Sequence, residues 1–197
     1  MMLFQIPNVI NKDKQIAAQQ ATLETLRQTI KDKTDEIVAL REQITVLEQK
    51  AFARRTAPAD KILIEKKDRR LTLLSKGQVI KTYPIALGGN PTGPKEREGD
   101  KKTPEGFYII DSRNRDSDYH LALHISYPSA KDKKRARELG ASPGGNIMIH
   151  GIKNGLSWVG DFHSRVDWTN GCIAVTDQEI EEINRLVPMG TVVEIRP

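Results

Sequence analysis

A mainly β domain with short helices, preceded by an N-terminal α-helical coiled coil, is the fold class that this 197-residue sequence predicts. Three observations carry it. Apolar side chains recur about every 3.5 positions through residues 16–51, and no proline or glycine interrupts them. From Lys61 onward the pattern changes to short runs bounded by Gly, Pro, Asn and Ser, as strands require. Helix signals return in only two later stretches, both short. The chain therefore divides into a helical segment over 1–52, a linker over 53–60 and a second domain over 61–197.

The first element is the long helix. With Ile16 at heptad position a, the series continues through Leu23, Ile30, Ile37, Ile44 and Ala51. Position d holds Gln19, Leu26, Lys33, Leu40 and Leu47. Ile at a with Leu at d favours a parallel homodimer through residues 16–51, in which Glu36 at g meets Arg41 at e of the second copy. Gln19 and Lys33 weaken the seam and help fix its register. A single amphipathic helix lying on another surface is the alternative. ARRTAPAD, residues 53–60, ends the pattern with basic, small and proline residues.

Strand patterns follow. KILIEKK and RRLTLLSKGQVIKTYPIAL read as strands, with Ser75-Lys76-Gly77 as a hairpin turn. Residues 88–106 are rich in glycine, proline and charge, and read as a long exposed loop with Lys95 to Lys102 as a solvated lid. FYIID and YHLALHISY read as further strands, and Ser129 to Leu139 as a short polar helix. Gly140, Pro143, Gly144 and Gly145 stop it before NIMIHG. Thr176-Asp177-Gln178-Glu179 is a capping box that opens the helix DQEIEEINRLV, and TVVEIRP is the last strand.

Composition narrows the function classes. Hydrophobic residues are 38% and aromatics 5%, so the core is limited and confined to part of the chain. The formal charge of +5 comes from Lys and Arg interleaved with Asp and Glu, and no nucleic-acid motif appears. The single cysteine, Cys172, excludes an internal disulfide and a multi-cysteine zinc site. No stretch reaches the roughly 20 apolar residues of a transmembrane span, and MMLFQIPNVINK has no signal-peptide character.

The chemistry concentrates near Cys172. NIMIHG ends a strand at His150-Gly151, where an imidazole can enter a cleft. Cysteine catalysis needs such a base within hydrogen-bond reach, together with backbone N–H groups to bind an oxyanion. Gly171 permits a tight turn, so the amides of Asn170, Gly171 and Cys172 are candidate donors. Residues between His150 and Cys172, with Gly155, Gly160, Trp158 and Trp168, read as a loop folded over a site. From these residues alone Cys172 is either a nucleophile or a small buried hydrophobe. His163, nine positions before Cys172, competes with His150 as the base. His120 and His124 share a strand face and, with His150, imitate a three-histidine zinc site. Lys153 and Arg165 are either solvated charge or recognise a substrate carboxylate. Trp158 and Trp168 either line the cleft or pack beneath the loop.

IMIHG followed 22 positions after His150 by the cysteine of WTNGCIAV resembles the signature of the L,D-transpeptidase family, the YkuD-type domain. YPIALGGNPTGPKEREGDKKTPEG and YHLALHISYP through SPGGNIMIHG extend the resemblance over roughly residues 60–197. It implies a mixed β-sandwich and an enzyme of peptidoglycan remodelling with no cofactor and no metal. In that reading Cys172 is the nucleophile and His150 its base, while Gly151 orients the imidazole. His163, Arg165, Lys153, Trp158, Trp168 and Thr169 are its candidate substrate contacts. The implied partners are peptidoglycan stem peptides and the implied place is the cell envelope or periplasm. Two positions depart from the family pattern, Asn170 where a basic residue is common and Ala174 where Arg or Asn is. They leave transpeptidation, carboxypeptidase and amidase outcomes open.

Overall fold

The computed structural model describes residues 6–197; the leader reading of the opening residues MMLFQ lies outside them. Two compact units are present, Met1–Ala53 and Arg54–Pro197.

Helix α1, Ile6–Thr56, makes up the first unit and overruns both expected ends. Its C-terminal overrun takes in Phe52 to Thr56, so the irregular stretch before the first strand shrinks to residues 57–60. Ala53, Arg54 and Arg55 are helix formers, and the stop comes from Pro58, which disfavours helical backbone at the residue before it. The expected a and d positions are exposed along this helix, with Ile30 and Leu47 at 65% and 63%. Glu36 pairs within the chain with Lys33 at 2.7 Å.

The second unit is a mixed eight-stranded sheet in the order β3-β2-β1-β8-β4-β5-β6-β7. Strands β1 (Lys61–Glu65), β2 (Arg70–Ser75) and β3 (Gln78–Pro84) form a meander, and Lys76 and Gly77 take positive φ in the predicted β2–β3 turn. β4 runs from Gly106 to Ser117, much longer than FYIID. Its first residues pair with β8 (Val192–Arg196) and its later ones with β5 (His120–Ile125), so this one strand joins the two halves of the ladder. β6 (Met148–His150) and β7 (Ile173–Ala174) complete the second half as a parallel pair. The bridge Ala86–Ala174 then ties the chain after β3 back to β7. Both halves face one core, with Ile62, Leu71 and Leu73 from one and Leu123, Ile149 and Ile173 from the other.

Helix α2 (Ala130–Glu138) starts at Ser129 with a capping box to Asp132. Helix α3 (Asp177–Leu186) starts at Thr176 with the expected box to Glu179, and buries Ile180, Ile183 and Leu186. The expected loop over the site instead contains a 3-10 helical segment, Ser157–Arg165, kinked at Gly160.

The expected solvated lid, Lys95 to Lys102, is only partly solvated. Lys95 and Asp100 form a buried pair at 2.7 Å, with side chains only 3% and 7% exposed. Asp100 also accepts the amides of Glu96, Arg97 and Lys102. Part of the charge in this loop is paired internally while Arg97, Glu98 and Lys101 stay exposed, a division that the sequence pattern could not reveal. Burial alone would raise the Asp100 pKa, but Lys95 and the three amides hold it down to about 2. The stabilisation is complete above the ordinary value of 3.8 and is lost as pH falls through about 2. Asp100→Asn is expected to cost about 3–5 kcal/mol at pH 7, because it strands a buried ammonium. Urea unfolding of wild type and variant checks this, with the gap narrowing from about pH 4 downward.

Candidate active site

β6 and β7 bring the two signature residues together. Ile149 pairs with Ile173 and His150 with Ala174 in parallel register. Continued back by one residue, that register sets Cys172 opposite Met148, so Cys172 and His150 lie on one face, two positions apart. Both line a pocket of about 250 Å³ with Ser117, Tyr119, Asn146, Met148, Trp168, Thr169 and Asn170.

The imidazole is held closely. His150 is 5% exposed, and its Nδ1 lies 2.7 Å from the Gly151 carbonyl oxygen. A carbonyl only accepts, so Nδ1 carries the proton and Nε2 is left as the basic nitrogen. The Tyr119 ring lies 4.6 Å from the imidazole centroid, and the Trp168 ring meets it edge-on at 5.8 Å. Burial lowers the His150 pKa below its ordinary 6.5; the Gly151 carbonyl partly offsets this, and His163 adds to the lowering. Burial raises the Cys172 thiol above its ordinary value, against smaller opposing effects of the Met148 backbone and Lys95. Both shifts favour the neutral forms, thiol and imidazole, over an ion pair.

The turn before Cys172 is pinned from within. Thr169 Oγ1 donates to the Cys172 carbonyl at 2.7 Å and accepts the Gly171 amide at 3.1 Å. Gly171 has φ +124°, and a Cβ there would stand 2.6 Å from the Lys102 carbonyl oxygen, so only glycine fits. Its amide being committed to Thr169, Gly171 leaves the set of expected oxyanion donors, and Asn170 and Cys172 remain. Asp167 fixes the approach to this turn by taking Arg69 Nε at 2.9 Å and the Leu87 amide at 2.9 Å.

The other expected site residues scatter. His163 is 3% exposed and lies in an adjoining apolar pocket of about 330 Å³, with Lys153, Phe162 and Val166. Tyr119 and Trp168 are shared by both pockets. That position leaves His163 out of the lining of the Cys172 pocket, which His150 shares. Arg165 stacks on Phe162 at 4.4 Å. Trp158 is 80% exposed; it neither lines either pocket nor packs beneath the segment. His120 bonds Glu181 at 2.8 Å and His124 bonds Asp111 at 2.6 Å, so these histidines do not converge with His150. Tyr119 was not foreseen; an aromatic heading the strand YHLALH was its only signal in the sequence.

Comparison with known proteins matches this geometry to a family. The model of the YkuD L,D-transpeptidase catalytic domain matches residues 59–195. The chain belongs to that family. Over 133 residues the YkuD domain is 35% identical to YafK of Escherichia coli strain K12, covering 64% of this chain and 46% of that protein. Among solved structures it is similar to the helical cell shape determining protein Pgp2 of Campylobacter jejuni, with TM-score 0.54 and 26% identity. That match covers 71% of this chain and 48% of Pgp2. Bd1075 of Bdellovibrio bacteriovorus matches with TM-score 0.50 and 26% identity, over the same 71% of this chain and 48% of its own. The chain thus spans about half the length of each of these relatives. Among the described residues no helix is long and apolar enough to cross a membrane.

Proposed function

We propose that the YkuD domain acts on peptidoglycan stem peptides in the cell envelope through a Cys172 thioester. The observation that carries this is the His150 Nδ1 to Gly151 carbonyl bond of 2.7 Å, which leaves Nε2 unprotonated in the pocket that Cys172 lines. Sγ attacks the carbonyl of the third stem residue while Nε2 takes the thiol proton. The amides of Asn170 and Cys172 receive the developing oxyanion. The tetrahedral carbon then loses the D-alanine amine, which leaves with the proton from His150. An acceptor amine resolves the thioester as a crosslink; water resolves it as carboxypeptidase or amidase action. Trp168 and Thr169, which line the pocket, are proposed to contact the stem, and Lys153 and Arg165, outside it, to meet a stem carboxylate. Incubation with a purified tetrapeptide stem, with and without an acceptor stem, tests this by mass spectrometry of the products. Release of D-alanine is expected; stems recovered intact after prolonged incubation would refute it.

The exposed Ile/Leu stripe of α1 supports a second element of the reading, that the chain is a parallel homodimer through residues 16–51. Light scattering on the full chain is expected to give twice the 22.1 kDa of one copy, and Ile30→Asp to return it to one. A wild-type monomer at assay concentration would contradict the dimer.

A further inference from the structure

We propose that Asp177 is a positioning residue for His150, acting through the Gly151–Ile152 peptide so that carboxylate, peptide and imidazole form one hydrogen-bonded line. The inference rests on the function proposed above.

The line runs through a single peptide group. Its carbonyl oxygen, on Gly151, accepts from His150 Nδ1 at 2.7 Å. Its N–H, on Ile152, donates to Asp177 Oδ1 at 2.8 Å. These two bonds share one resonance-stiffened plane, so fixing the N–H end fixes where the oxygen points. They also polarise each other. A carboxylate on the N–H shifts electron density toward the oxygen, making it a better acceptor for the imidazole. That matters most when His150 holds the thiol proton and is positive.

Asp177 is built for this place. It is the first residue of α3 and 9% exposed, at the helix end that favours negative charge. Helix capping does not require it, because Thr176 and Glu179 already satisfy each other's backbone amides. Both of its oxygens turn instead to the segment after β6, Oδ1 to Ile152 and Oδ2 to the Ser157 hydroxyl. Gly151 makes room for the contact. A Cβ there would stand 2.7 Å from Asp177 Oδ1 and 3.1 Å from both Ile180 Cγ2 and the Tyr119 carbonyl oxygen, so a larger residue would push the carboxylate away from the peptide.

The other titratable groups around His150 are Tyr119 from the turn before β5, Cys172 from the turn before β7 and His163 from the 3-10 segment. The carboxylate of Asp177 reaches His150 from α3, through the peptide.

The test uses the full chain. Asp177→Asn keeps the size of the side chain and one acceptor oxygen for the Ile152 amide, and removes its charge. Turnover of a tetrapeptide stem is expected to fall about 10- to 100-fold in kcat with KM little changed, as for other groups that orient a reacting side chain. An NMR titration of the His150 imidazole is expected to show protonation at lower pH than in wild type, with the melting temperature nearly unchanged. Ser157→Ala removes only the second contact and is expected to leave kcat and the His150 titration as in wild type. Asp177→Asn with wild-type kcat and titration would overturn the proposal. So would Ser157→Ala reproducing both losses, because Asp177 would then merely fasten the segment. A shifted titration in a chain whose wild type leaves stems intact would keep the line and overturn the substrate reading instead.

Discussion

Cys172→Ala is expected to abolish both turnover of stem peptides and covalent labelling by a carbapenem, with the fold retained. The chain has no second thiol to substitute for it. Removing Sγ should cost little stability, since the thiol makes only weak contacts with backbone, among them one of 3.4 Å to the Asn146 carbonyl. The neighbouring turn is held by Thr169, whose bonds run to backbone atoms that alanine keeps. Far-ultraviolet circular dichroism and melting should match wild type while product formation falls to the uncatalysed level. Cys172→Ser is the graded case. A hydroxyl is a much poorer nucleophile beside a base of lowered pKa, so residual activity is expected to be very small. Undiminished turnover in Cys172→Ala would remove the thioester mechanism entirely.

His150→Ala is expected to lower kcat by about 10²–10⁴-fold, the usual contribution of general acid–base catalysis. In the proposed mechanism thioester formation needs the imidazole twice, first to take the thiol proton and then to deliver it to the leaving amine. The pH dependence follows from the directions of the two pKa shifts. Activity requires unprotonated His150, so it falls as pH drops through a value below 6.5 and is flat through neutrality. Cys172 keeps its proton at neutral pH because burial raises its pKa. Alkylation of the free enzyme by iodoacetamide should therefore be slow at pH 7 and accelerate only in alkaline solution. Measuring kcat/KM from pH 4 to 9 on wild type and His150→Ala checks this, with the acid limb expected only in wild type. An acid limb above 6.5 would contradict the lowered His150 pKa, and rapid alkylation at pH 7 would mean that the resting pair is ionised.

What was legible in the sequence was what is set locally. The capping box of α3, the Lys76-Gly77 turn and the strand end at His150 each depend on a few neighbouring residues. The extents of α1 and β4 were not legible for different reasons. The helix ends where Pro58 forbids continuation, not where its basic residues cluster. The polar stretch Ser112–Ser117 remains strand because β5 pairs with it, a tertiary gain that its own composition does not announce. The site divides in the same way. Cys172, His150 and the turn-forming Thr169 stand in recognisable motifs, whereas Tyr119 and Asp177 reach His150 only through the fold. Gly171 was expected to lend its amide to an oxyanion, and Thr169 takes that amide instead. A side-chain hydroxyl bonding two residues ahead competes for backbone donors in such turns, and spacing alone cannot reveal it.

The central claim is that Cys172 carries the acyl group. Intact-mass measurement after rapid acid quenching of the enzyme with a tetrapeptide stem tests it most directly. A transient species heavier by the acyl tripeptide is expected, mapped to Cys172 by digestion and absent from Cys172→Ala. Stem turnover without any adduct, continuing in Cys172→Ala, would contradict it.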